Sequence, residues 1–133
     1  MGAAENIQTI KSVYEAFGRG DVEAILATVT DDVDWATEST SDGAPWYGVR
    51  TGTAGVASFF EDFGKTMEVE HFEPLAFAAD GDDVMTVVRF VARSRETGRT
   101  ASMDLHHWFH FRSGKIARYR GTEDTAITVA TLA

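Results

Sequence analysis

Apolar residues recur along this chain with two periods, one suited to helices and one to strands. Near the start, Ile7, Ile10, Tyr14 and Phe17 follow one another at three and four residues, the stripe of an amphipathic helix. The run GRGD at 18–21 ends it with glycines suited to a C-terminal cap. Asp21 then caps a short second helix carrying Val22, Ile25, Leu26 and Val29, which stops at Thr30, Asp31 and Asp32. A strand over 33–37 leads into ESTSDGAPWYGVRTG, a stretch of small, turn-forming residues with Trp46 and Tyr47 inside it. Loops of that length in a compact domain often carry function. Thr53 can cap a third helix, whose Val56, Phe59, Phe60 and Phe63 make one apolar face.

From there the period changes. Four strand-like segments, at about 67–79, 83–94, 99–111 and 115–122, are separated by DGDD, ETGR and RSGK, all hairpin chemistry, and predict an antiparallel meander. Pro74 in the first of them predicts an edge position or a bulge. Helices first and a strongly bent sheet afterwards is an α+β layout, with helices covering one sheet face and room for a pocket where the two do not quite meet.

The segment DLHHWFHFRSGK, 104–115, is the chemically densest. Alternation puts Leu105, His107, Phe109 and Phe111 on one face and His106, Trp108 and His110 on the other. His106 and His110 then lie roughly 13 Å apart along the strand, whereas zinc holds each nitrogen at about 2.0–2.1 Å, so no metal site is predicted. His107 is a titratable group on an apolar face, which is either a satisfied core residue or the polar floor of a pocket. Burial there disfavours the imidazolium and predicts a neutral ring. In the strand before it, Arg89 shares alternation with Met85, Val87 and Val91, which would direct it inward toward a partner or a ligand anion, and would turn Val88 and Phe90 outward beside Trp108. That outer apolar patch predicts a homodimer.

Composition narrows the remaining classes. The chain has 133 residues, 44% of them hydrophobic, enough for one domain over 1–133 to bury a core unaided. No cysteine is present, which removes disulfides, a thiol nucleophile and Cys-based zinc sites. Twelve basic against 21 acidic residues give a formal net charge of −9, which repels nucleic acids and anionic membranes. The opening MGAAENIQTI lacks a basic region followed by an apolar run, and no run of about 18 apolar residues occurs, so a cytoplasmic protein without a membrane span is expected. GVRTGTAG at 48–55 spaces its glycines wrongly for a dinucleotide fingerprint or a phosphate-binding loop, and no cofactor is expected.

The ordered set YEAFGRGD, DDVDW, the loop with WYG, GTAGVASFF, ADGDDV and HHWFHFRSGKIARYRGTEDT (106–125) resembles the SnoaL-like branch of the nuclear-transport-factor-2 superfamily over nearly the whole chain. The resemblance implies a cone of one curved, mixed or antiparallel sheet, covered by three N-terminal helices and enclosing a largely apolar pocket. It also implies a homodimer and a small, oxygenated organic ligand. Isomerase-like or cyclase-like acid–base chemistry is one implied activity; non-catalytic binding and epoxide hydrolysis are alternatives.

Matched residue by residue, the resemblance puts catalytic positions at Tyr14, Arg89 and His107; Trp35, Trp46 and Tyr47, read as packing the pocket mouth, and Leu105 and Phe109, on the His107 face, are the expected ligand-binding residues. Its usual carboxylates fall at Thr37, Val91 and Gly121, none of which is acidic. Whether Glu38 or Asp42 reaches the pocket instead is open at this level. Asp124 is read as the cap of a short C-terminal turn.

Overall fold

The computed structural model describes residues 2–133. In chain order it has α1 (Ala3–Gly18), α2 (Val22–Leu26), β1 (Val29–Thr37), β2 (Gly48–Thr51), α3 (Gly52–Thr66), β3 (Met67–Asp80), β4 (Asp83–Ser94), β5 (Thr100–Arg112), β6 (Lys115–Thr122) and α4 (Thr125–Leu132). The strands form one curved sheet in the order β2-β1-β6-β5-β4-β3. Four of its pairings are antiparallel and β1 runs parallel to β6, so the sheet is mixed.

Local chemistry explains most boundaries. Asp21 caps α2 by accepting from the Ala24 N–H at 3.1 Å. That helix is shorter than its apolar spacing suggests, because Val29 is claimed by the sheet, where it stands opposite Ile116 of β6. Ser113 and Gly114 both have positive φ, 51° and 80°, the two-residue turn whose twist matches a hairpin, and Arg112 pairs with Lys115 across it. Pro74 lies on the edge strand β3, and the register shifts between Pro74 and Ala76; edge and bulge occur together. The expected C-terminal turn is a full helix, α4, capped by Asp124, which accepts from the Ile127 N–H.

The helices lie on the concave face of the sheet and the core sits between them. From α1 come Ile10, Val13 and Tyr14; from α3, Val56 and Phe59; from the sheet, Trp35, Val84, Val88, Phe90, Phe109 and Tyr119, all buried. Full burial of a side chain such as Val84 or Val88 contributes roughly 1.5–3 kcal/mol.

On β4 the faces are the reverse of those expected from its own pattern. Val84, Thr86, Val88, Phe90 and Ala92 point inward and are buried, while Met85 and Arg89 are exposed. The register with β5 is the cause: Thr86 stands opposite His107, Val88 opposite Leu105 and Arg89 opposite Asp104, and residues directly opposite share a face. Arg89 therefore leaves the pocket set. Its Nε donates to Asp104 Oδ1 at 2.8 Å on the outer face, and that bond raises the guanidinium's pKa. Val88 and Phe90 likewise leave the outer patch, which consists of Met85 and Trp108 with Val87 beside them.

Candidate functional site

Between the sheet and the helices lies a cavity of about 80 Å³. Its wall is mostly aromatic, with Trp35, Trp46, Phe59, Phe72, Phe109 and Tyr119 among its residues. Larger hollows of about 330 and 480 Å³ open on the outer sheet face and beside the end of α3. The smaller cavity is the better candidate, because buried polar groups converge on it.

α1 brings Tyr14 into this cavity, since its helical stripe faces the sheet. The Tyr14 hydroxyl meets Thr86 Oγ1 of β4 at 2.6 Å and His107 Nδ1 of β5 at 2.7 Å. Those two residues are opposite one another in the sheet, which is why one hydroxyl reaches both. Among the described residues the other ring nitrogen, Nε2, has no hydrogen-bond partner, and it is not among the sealed-off polar atoms. The imidazole is thus fixed at Nδ1, and its residue borders both the cavity and the outer hollow.

Electrostatics follow from burial. Desolvation, with a smaller contribution from the neighbouring His106, lowers the His107 pKa from its usual 6.5 to about 3, so the ring is neutral at pH 7. Burial raises the Tyr14 pKa, and the Thr86 hydrogen bond offsets part of that rise. A neutral ring and a neutral phenol leave two wirings. In one, Tyr14 donates to Nδ1 and His107 carries its proton on Nε2; in the other, Nδ1 donates to Tyr14, Tyr14 donates to Thr86, and Nε2 is a bare acceptor. A hydroxyl at Thr86 serves both, because it can give or take.

Tyr119 of β6 stands beside this group, its ring centroid 5.3 Å from that of His107 and 4.2 Å from that of Trp35. Burial raises its pKa well above the usual value, and Tyr14 and Glu123 add to the rise. The phenol also accounts for Gly121. A Cβ on Gly121 would lie 2.2 Å from the Tyr119 hydroxyl oxygen, so that oxygen fills the space a side chain at 121 would need.

Most residues singled out in the sequence meet here. Tyr14, His107, Trp35, Trp46, Leu105 and Phe109 all line the cavity, and so does Thr37. Tyr47 does not; it packs edge-on against Trp46 and donates to Glu123 Oε2 at 3.0 Å. Glu38 faces the outer hollow rather than the cavity, and Asp42 is not in the wall. His106 and His110 are on the outer face, where His110 Nδ1 meets Asp83 at 2.9 Å.

The pattern missed Thr86, hidden by the reversed faces of β4, and Glu123, which follows β6, belongs to the cavity wall and accepts from Trp46 Nε1 of the same wall. No group of three or more His, Cys, Asp or Glu that could hold a metal ion occurs among the described residues. No described helix is long and apolar enough to cross a membrane.

A family model for the SnoaL-like domain matches residues 10–119. The chain belongs to the SnoaL-like family. Solved structures agree with the cone fold of that family. A nuclear-transport-factor-2-like protein from Burkholderia xenovorans is 28% identical, with a TM-score of 0.89 over 100% of this chain and 99% of that one. One of unknown function from Burkholderia pseudomallei is 25% identical, with a TM-score of 0.88 and the same coverage. TerC, co-crystallised with polyporic acid, is 26% identical, with a TM-score of 0.84 over 96% of this chain and 98% of that one. No protein of the curated set matches the chain in sequence. Within this SnoaL-like chain, the acid expected at 121 is replaced by a glycine that the Tyr119 phenol overlies.

Proposed function

We propose that this SnoaL-like protein binds a small, largely apolar organic molecule through one of its oxygens, with His107 and Tyr14 as the polar floor of the cavity. The carrying observation is the Thr86–Tyr14–His107 chain, with Nε2 left open. In one wiring Nε2–H donates to a carbonyl; in the other it accepts from a hydroxyl, and neither requires a charge in an apolar site. The crystallisation of TerC with polyporic acid supports a ligand-taking cavity in this fold.

Size adds a condition. About 80 Å³ is roughly half the ~150 Å³ in which a benzene binds a protein cavity. A one-ring ligand therefore requires movement at the wall, where Phe17, Phe60, Phe63 and Phe72 are the partly exposed phenylalanines.

For catalysis of the isomerase or cyclase kind, the same donors would stabilise an oxyanion. His107 itself is a weak proton acceptor, because burial among apolar side chains disfavours its charged form and lowers its pKa. That burial favours a second reading, binding without turnover.

The experiment is a calorimetric titration with a ligand recovered from an unbiased screen. His107→Ala is expected to abolish binding, while His106→Ala and His110→Ala leave it as in wild type. Wild-type affinity in His107→Ala would make the histidine core filler and end the proposal.

We also infer a homodimer packed through the outer sheet face. Trp108 is 45% exposed and Met85 40%, beside Val87, a patch that association would cover. Sedimentation at micromolar concentration is expected to give a dimer that Trp108→Glu converts to monomer. A monomeric wild type would overturn this.

A further inference from the structure

Glu123 is the one carboxylate in the cavity wall, and no Lys or Arg lines that wall beside it. Its two oxygens are not equally occupied. Oε2 accepts from the Tyr47 hydroxyl at 3.0 Å and also from the Thr128 hydroxyl. Oε1 accepts only from Trp46 Nε1, and that bond is long, 3.3 Å. A carboxylate oxygen has two acceptor sites, so Oε1 has capacity to spare. The spare oxygen is the one on the side of Trp46, which lines the cavity, whereas the donors to Oε2 come from outside the wall.

The cavity therefore has two polar ends of different character. At one, Tyr14 and His107 give or accept a hydrogen bond without charge. At the other, Glu123 only accepts, and its negative charge turns away an anionic ligand. Tyr119 shares the wall with them, its ring centroid 5.3 Å from that of His107. The rest of the wall is mostly aromatic, with Thr37 and Thr122 the other polar side chains in it.

We propose that Glu123 is a specificity-determining residue, and that the ligand carries a hydroxyl for Glu123 in addition to the oxygen bound by His107: a small hydroxyketone or keto-phenol. This rests on the cavity being the ligand site. It makes Glu123 the functional acid of a family member whose usual carboxylate positions are empty. The residue has a second task, since its bonds to Trp46, Tyr47 and Thr128 also join the 38–47 loop, the end of β6 and α4 around the cavity.

The test is isothermal titration with 3- and 4-hydroxyacetophenone and with acetophenone, which lacks the hydroxyl. Wild type is expected to bind the better hydroxylated ketone about tenfold more tightly than acetophenone, in line with a hydrogen bond to a charged acceptor. Glu123→Met, similar in length but without an acceptor, should bring the two within about threefold. His107→Leu should lose detectable binding of both kinds of ketone alike, hydroxylated or not. If Glu123→Met does not fold, as judged by its melting transition, Glu123→Gln should cut the wild-type preference at least about threefold. Equal binding of the ketones by wild type, or a preference undiminished in Glu123→Met or Glu123→Gln, overturns this proposal alone. Absence of binding by any of the ketones overturns the cavity reading and this proposal with it.

Discussion

Replacing Gly121 by alanine is expected to lower the midpoint of thermal unfolding by about 5–10 °C, the effect of roughly 1–3 kcal/mol of overpacking in a chain of this size. The new Cβ would stand 2.2 Å from the Tyr119 hydroxyl oxygen and 2.9 Å from Cζ. Such contacts are cheap when a flexible side chain can swing away. Tyr119 cannot, because its ring is 5% exposed and packed against Trp35, His107 and Phe109. Gly121→Asp, which puts a carboxylate where the resemblance implies one, should be worse, since it adds a charge to the same crowded space. The double variant Tyr119→Phe with Gly121→Ala removes the closest atom and should recover part of the loss. A melting curve of Gly121→Ala that overlays wild type would show that the phenol moves freely, and the crowding argument would fail.

Stability should also fall as the medium is acidified, with His107 responsible for a defined share. Its folded pKa is about 3 and its unfolded value about 6.5, so between these pH values the unfolded chain binds a proton that the folded chain refuses. The contribution is fully present above about pH 6.5 and is lost progressively as the pH falls toward 3. Its full extent is on the order of 4–5 kcal/mol. Denaturant unfolding of wild type and His107→Leu at a series of pH values tests this. The difference between the two proteins should shift in favour of the leucine variant as the pH drops from 7 to 4, by a few kcal/mol. Parallel curves over that range would mean that the ring is protonated in the folded state after all.

How much of this was legible beforehand varies by element. The helices of the N-terminal half, the meander and the pocket face of β5 follow from spacing and turn chemistry, because in each a single face is apolar. β4 is different. Its run DVMTVVRFVARS is apolar on both faces, so alternation within it does not say which side is inside. The information lay in the neighbouring hairpin: strand ends near 94 and 99 already set Arg89 opposite Asp104 and Thr86 opposite His107. An arginine facing an aspartate on the next strand is better read as a cross-strand ion pair than as a ligand group.

β2 escaped for another reason. Its four residues, Gly48–Thr51, carry no period of their own, and they are a strand because Thr37 to Asp34 offer them an edge. Glu123 was hidden by the turn-like letters around it. Two of that carboxylate's three partners, Trp46 and Tyr47, come from the 38–47 loop across the chain, and the third is Thr128 of α4.

The distribution of the three tryptophans has an optical consequence. Trp35 and Trp46 are 2% and 3% exposed in the cavity wall, while Trp108 is 45% exposed on the opposite face of the sheet. In a single copy of the chain, intrinsic emission would divide between an interior component at short wavelength and a Trp108 component at longer wavelength, and the dimer inferred above would shift the latter toward the blue. With Trp108 replaced by phenylalanine, the remaining light comes from the two indoles that a ligand would touch. The protein then carries its own occupancy signal, without a dye and without a tag.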